Sequence, residues 1–218
     1  MFQSSFRRLE LNCHEPEEIT MWLLFLVTLC VLSCEGRPRD IKCNVTLVTR
    51  EEWHARPTRH TEHMNTPVGI VFIHHTAMAE CDDQHTCTVE MQKIQNFHMD
   101  IRSWDDIGYN FLIGGDGRVY EARGWDRVGA HTRGWNDVAV AFSVMGDYTN
   151  KLPNSAALTA VHNIIDCGIL KGKITPDYKM YGHRNAGTTE CPGQQLYDLI
   201  RTWPHFDPNK PVRPTPAS

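Results

Sequence analysis

Two histidines and one cysteine carry types and spacing that suit metal chemistry. Seven residues separate His183 from Cys191 inside Gly182-His-Arg-Asn-Ala-Gly-Thr-Thr-Glu-Cys-Pro-Gly193, and His74 closes an apolar run far upstream. Two imidazoles and a thiolate are suitable zinc ligands, and three protein ligands leave the fourth tetrahedral position open for water, the arrangement of a catalytic zinc. A purely structural zinc would want a fourth protein ligand near the others, and the sequence offers no good one. The spacing alone is weak, because in a chain with 12 His a lone imidazole is more often a surface or core residue than a ligand.

Such a cluster needs elements that bring distant segments together. Val68-Gly-Ile-Val-Phe-Ile73 is a continuous β-branched and aromatic run, the pattern of a strand buried on both faces, and it delivers His74-His75-Thr76 at its C-terminal end. Val138–Met145 reads as a second buried strand, Val45–Val48 and Lys179–Tyr181 as short ones. Tyr109–Ile113 and Arg118–Ala122 flank Gly-Gly-Asp-Gly, a hairpin signal, because Gly and Asp supply the positive φ of tight turns. Helical spacing predicts an amphipathic helix over Thr88–Ile101 with Thr88 as N-cap, another over Ser155–Leu170 stopped by Gly172, and a last one over Gln194–Trp203. Strands interleaved with helices predict an α/β fold: a mixed, mostly parallel β-sheet flanked by about three helices in a single domain.

The 218 residues carry a net charge of −4, which becomes nearly balanced once the two Arg and five Glu of residues 1–36 are set aside. That balance gives no hint of nucleic-acid binding. The apolar run Met21–Ser33 is too short to span a bilayer comfortably and fits a signal-peptide core, so residues 1–36 are expected to be a leader and the protein to be secreted, with no stable membrane insertion. A leader that is not cleaved would leave a membrane-tethered or intracellular form. Removing it takes away Cys13, Cys30 and Cys34 and leaves five cysteines. The odd one is free, held by a metal, or bridged to another chain. Asn44-Val45-Thr46 is a sequon compatible with export. Residues 207–218, with four prolines, are expected to be disordered.

Ile73-His-His-Thr-Ala77, Asp106-Ile-Gly-Tyr-Asn-Phe-Leu-Ile-Gly114, Val119-Tyr-Glu, Gly124-Trp125, Gly129-Ala-His131, Gly182-His-Arg184, Glu190-Cys-Pro-Gly193 and Trp203-Pro-His-Phe206 together resemble the peptidoglycan recognition proteins, over roughly residues 43–206. The resemblance implies a zinc amidase-like domain, with zinc held by His74, His183 and Cys191. It implies hydrolysis of the N-acetylmuramoyl-L-alanine amide bond of bacterial peptidoglycan, in innate immunity. Members that only bind the wall usually carry Ser in place of the Cys. Such a non-hydrolytic pattern-recognition protein is the alternative reading, and this chain keeps Cys191.

Tyr109 matches a tyrosine that orients the zinc water or steadies the developing oxyanion, and Thr189 a second polar helper that in this chain could merely cap its loop. For contacts with glycan and stem peptide the resemblance points to His75, Thr76, His98, Arg102 and Trp104, and further to Arg123, His131 and Asn136. It also implies bridges Cys43–Cys167 and Cys81–Cys87, which leaves Cys191 for zinc. Members that favour diaminopimelate over lysine in the stem peptide resemble one another in a Gly-Trp pair and an Arg. Ser103-Trp104 and Arg123 occupy those positions here, with Ser replacing Gly. Muropeptides of the diaminopimelate type are therefore the expected partners.

Overall fold

A computed structural model describes residues 43–215. Six strands form one sheet in the order β1-β4-β3-β5-β2-β6, where β1 is Leu47–Val48, β2 Val68–His75, β3 Phe111–Ile113, β4 Val119–Glu121, β5 Ala139–Val144 and β6 Ile174–Gly182. Every neighbouring pair is parallel except the β3–β4 hairpin. The two apolar runs, β2 and β5, lie side by side inside the sheet, as strands covered on both faces must. Their side chains alternate: Val71 and Ile73 join the core with Val140 and Phe142, whereas Ile70 and Phe72 pack on the opposite face with Ala139 and Ala141.

Three α-helices are present among the described residues: α1 at Gln84–Asn96, α2 at Ser155–Leu170 and α3 at Gln194–Ile200. The first starts earlier than the apolar periodicity predicts. Its cap is Asp83, not Thr88: the Asp83 carboxylate accepts from the Thr86 N–H at 2.9 Å while the Thr86 hydroxyl accepts from the Asp83 N–H. That reciprocal box satisfies orphan donors that Thr88, already inside a turn, leaves open. Past Asn96 the chain continues as a π-helical turn over Phe97–Ile101, so the predicted end at Ile101 is reached by a widened turn. For α2 the cap is Asn154, whose side chain accepts from the Ala157 N–H, and Gly172 follows its C-terminus at φ 64°. The last helix ends three residues short of Trp203, whose ring packs 4.2 Å from that of His162 on α2.

β6 is much longer than Lys179–Tyr181. Its pairing with β2 shifts register between Val68 and Ile70, and Pro176 falls in the irregular stretch of this edge strand, where a missing N–H is tolerated. That proline is what hides the strand in the sequence. The proline-rich segment after Phe206 has neither helix nor strand through Thr215, yet it is tied to the domain: Asp207 accepts from Lys179 at 2.7 Å and Arg213 pairs with Asp137 at 2.6 Å. The signal-peptide-like leader lies outside the described residues. Within them no helix is long and apolar enough to cross a membrane.

Both expected disulfides form, Cys43–Cys167 and Cys81–Cys87, and Cys191 is the free cysteine among the described residues. They close chain segments of 124 and 6 residues. If each acts chiefly by restricting the unfolded chain, replacing Cys43 and Cys167 together by Ser costs about 5 kcal/mol, against about 2 kcal/mol for Cys81 and Cys87. Urea unfolding of the two double variants measures this, and equal losses would contradict the ordering.

Candidate metal centre and groove

Parallel pairing sets Ile73 of β2 opposite Gly182 of β6, so the next residues, His74 and His183, leave the sheet at the same level. Their rings lie 4.5 Å apart. Cys191 arrives on the loop after β6, which is folded back by the Arg184 N–H donating to the Cys191 carbonyl at 3.0 Å and by the Arg184 guanidinium meeting the Glu190 carbonyl. One ligand atom each from His74, His183 and Cys191 lies within 4.8 Å of the others, and His74 Nδ1 is 3.6 Å from Cys191 Sγ. Donors around a tetrahedral zinc stand about 3.3–3.8 Å apart, so the triad needs about 1.5 Å of contraction at most. The donor set also fits in kind. Burial holds His74 well below the ordinary imidazole range, with the neighbouring His183 adding to the effect, and it lowers His183 as well, so both rings are neutral. Burial pushes the Cys191 thiol up to about 12, opposed by the His75 backbone and Arg184. A thiolate there calls for a cation to replace the water it has lost.

The triad lines a cavity of about 640 Å³. His75, Thr76, His98, Arg102, Trp104, Tyr109, His131 and Thr189 all contribute to its wall. Most are locked by a second bond. The His75 Nδ1 accepts from the Tyr148 N–H at 3.3 Å, and the Thr76 hydroxyl accepts from the Gly146 N–H at 2.9 Å. The His98 Nδ1 accepts from the Gly108 N–H at 3.1 Å, which leaves its Nε2 carrying the proton, and its ring stacks on Trp104 at 4.7 Å. Thr189 accepts from the Cys191 N–H at 3.2 Å and so caps the ligand loop. Arg102 is exposed at the rim, over the Phe97 ring.

Tyr109 stands with its ring 5.3 Å from that of His74, and burial, then the nearby Cys191, raises its pKa above the ordinary phenol range, so it keeps its proton. Its position depends on a hub just before it. Asp106, 1 % exposed, accepts from the Ile107 N–H at 2.8 Å and from Gln95 of α1 at 2.7 Å, and pairs with Arg50 at 2.9 Å. Just after it, Asn110 spans the Gly124 carbonyl and the Ala141 N–H of β5.

Two expected contact residues lie off the cavity wall. Arg123 is engaged by backbone carbonyls: Nε donates to that of Ile107 at 2.8 Å, Nη1 to that of Val128 at 2.7 Å and Nη2 to that of Asp106 at 3.4 Å. Asn136 accepts the N–H groups of His131 and Thr132 through its Oδ1, which shapes that loop. Sequence reasoning missed the apolar wall of Ala77, Met78, Ile94 and Phe97, whose residue types read as core. It also missed Thr132, whose Oγ1 is 3.2 Å from His74 Nε2. A lone hydroxyl beside His131 carries no spacing signal.

Ser103 adopts φ 58°, the left-handed region that favours Gly. Ser103→Gly is expected to raise stability by about 0.5–1 kcal/mol, read as a higher urea midpoint, and a lower midpoint would contradict it. A second expectation concerns acid. Burial, with Arg102 and Arg123 adding to it, lowers His98 from 6.5 to about 4. The unfolded chain therefore takes up the proton first, and the His98 contribution is complete above pH 6.5 and lost as pH falls to about 4. Its size is on the order of 2–3 kcal/mol, and His98→Gln should flatten that part of the stability profile; an unchanged slope would refute the assignment.

A family model described as N-acetylmuramoyl-L-alanine amidase matches residues 64–194. The N-acetylmuramoyl-L-alanine amidase of Mus musculus is 45 % identical over 161 residues, which cover 72 % of this chain and 30 % of that protein. The chain thus spans under a third of that relative's length. Peptidoglycan-recognition protein SC2 of Drosophila melanogaster is 39 % identical over 181 residues, covering 83 % of this chain and 96 % of the other. Among solved structures, peptidoglycan recognition protein LE in complex with tracheal cytotoxin, a monomeric diaminopimelic acid-type peptidoglycan, superposes with a TM-score of 0.73 at 37 % identity, covering 74 % of this chain and 96 % of that one.

Proposed function

The chain belongs to the N-acetylmuramoyl-L-alanine amidase family, among the peptidoglycan recognition proteins, and on that premise we propose that it is a secreted zinc hydrolase of innate immunity that cuts the amide between the muramoyl lactyl group and L-alanine. The observation that carries this reading is the convergence of His74, His183 and Cys191 in the wall of a groove, with three donors where a structural site would have four. When bound, zinc supplies a Lewis acid and lowers the pKa of a coordinated water toward neutrality.

The chain's own residues do the rest. Tyr109 keeps its phenol proton and offers it as a hydrogen bond to the amide oxygen as negative charge grows there. The Nε2–H of His98 is a donor for the bound glycan or stem peptide, and the His98–Trp104 stack gives a flat apolar wall beside it. Thr189 holds the Cys191 loop in place. Two disulfides and the signal-peptide-like leader support an oxidising, extracellular setting.

Cys191→Ser is expected to abolish cleavage of purified peptidoglycan while leaving pull-down on the insoluble wall largely intact. A variant that still cuts at a tenth of the original rate would refute the ligand assignment. Tyr109→Phe should lower turnover by about two to three orders of magnitude with zinc content unchanged. Loss of zinc along with activity would make Tyr109 a structural residue instead.

The diaminopimelate side chain carries one carboxylate more than lysine, so selectivity for it requires a cation. Three N–H groups of Arg123 are taken by carbonyls, and the remaining two of its five are the ones left to grip that carboxylate. Comparing cleavage of both wall types tests this: Arg123→Val should erase a preference for the diaminopimelate wall. Equal rates on both walls, unchanged by the substitution, would remove Arg123 from specificity.

A further inference from the structure

Behind the metal cluster, Thr132 is 2 % exposed and stands between two imidazoles, its Oγ1 3.2 Å from Nε2 of His74 and 3.0 Å from Nδ1 of His131. Its backbone N–H and that of His131 both donate to Asn136 Oδ1, at 2.8 and 2.9 Å, so the hydroxyl is held where it is by main-chain bonds independent of either ring. A hydroxyl has one proton and donates in one direction only. Both rings could also donate to its two lone pairs, but the buried hydroxyl proton would then have no acceptor among the described residues, so two proton orders remain. In one, His74 carries its proton on Nε2 and gives it to Thr132 Oγ1, and the Thr132 proton points to His131 Nδ1. In the other every bond is reversed, and His74 carries its proton on Nδ1.

The second order closes the site. Nδ1 is the nitrogen of His74 that faces Cys191 Sγ, at 3.6 Å, and only a bare Nδ1 has a lone pair to give a metal. We propose that Thr132 is a positioning residue that selects the Nε2–H tautomer of His74, and through the same hydroxyl sets His131 as an Nε2–H donor. At the other end of the relay the His131 ring forms part of the groove wall, with its Nε2 buried and without a protein partner among the described residues. Zinc binding and the hydrogen-bonding sense of the groove wall are thus linked by one hydroxyl. Asn136, expected to touch ligand, instead anchors this relay.

The inference rests on the zinc reading of the triad, and the test separates the two. Zinc affinity is measured by competition with a chromophoric chelator for wild type, Thr132→Ser and Thr132→Val, and the imidazole nitrogens of the zinc-free proteins are assigned by long-range ¹H–¹⁵N NMR. Thr132→Val should bind zinc about tenfold more weakly and Thr132→Ser within about twofold of wild type. Zinc-free wild type should show the His74 proton on Nε2 and the His131 proton on Nε2. A wild-type His74 carrying its proton on Nδ1, or a Val variant with wild-type affinity, would overturn the role of Thr132. The wild-type spectrum decides this even if the Val variant fails to fold. Wild type that binds no zinc at all would instead sink the metal reading, and the tautomers would still report on Thr132.

Discussion

Strands β2 and β6 are hydrogen-bonded in parallel, and their register leaves the chain no choice about where two imidazoles emerge. With Ile73 opposite Gly182, a slip of one residue would turn His74 or His183 to the other side of the sheet. β5 fixes the height from the other flank by pairing Ser143 with His74. The site therefore stands outside the carboxyl ends of parallel strands, the place where open α/β sheets bind ligands. Because the strands there are buried on both faces, the imidazole of His74 is only 1 % exposed, and every polar atom around it must find a partner or lose free energy.

That requirement explains how little of the groove is free to move. Backbone N–H groups of Tyr148, Gly146 and Gly108 each occupy one polar atom of a wall residue, namely His75, Thr76 and His98. The remaining polar atom of each imidazole is thereby directed to solvent or ligand. Asp106 does the same work for the segment bearing Tyr109, gathering Arg50, Arg127 and Gln95 around a carboxylate with almost no water of its own. A buried carboxylate in that position is tolerable only because it is paired and hydrogen-bonded on both oxygens. The π-helical turn after α1 widens the helix where His98 has to enter the groove, a common use of that distortion.

Much of this was legible in the residues. β2, β5, the hairpin and α2 follow from continuous apolar runs, Gly-rich turn chemistry and 3.6-residue spacing, signals that act over a few neighbours. The metal triad was not legible from spacing, since His74 and Cys191 are 117 residues apart, and it came from motif resemblance. The start of α1 was hidden because Asp83 caps a first turn of polar Gln84, His85 and Thr86, which shows no apolar periodicity. β6 was hidden by Pro176 in an edge strand. Thr132 was invisible for a different reason: a hydroxyl acquires its role from two ring nitrogens that meet it only in the folded chain. Arg123, expected to meet the stem peptide, is bonded to three backbone carbonyls and lies off the cavity wall, a placement that its residue type does not signal.

The central claim is that two imidazoles and one thiolate of this chain form a three-ligand zinc site. X-ray absorption at the zinc edge on the purified, zinc-loaded protein tests it most directly. The account predicts one sulfur at about 2.3 Å and two imidazole nitrogens at about 2.0–2.1 Å, with one further light ligand completing four-coordination and the sulfur lost in Cys191→Ser. A zinc bound without sulfur, or bound by two or more sulfurs, would contradict it.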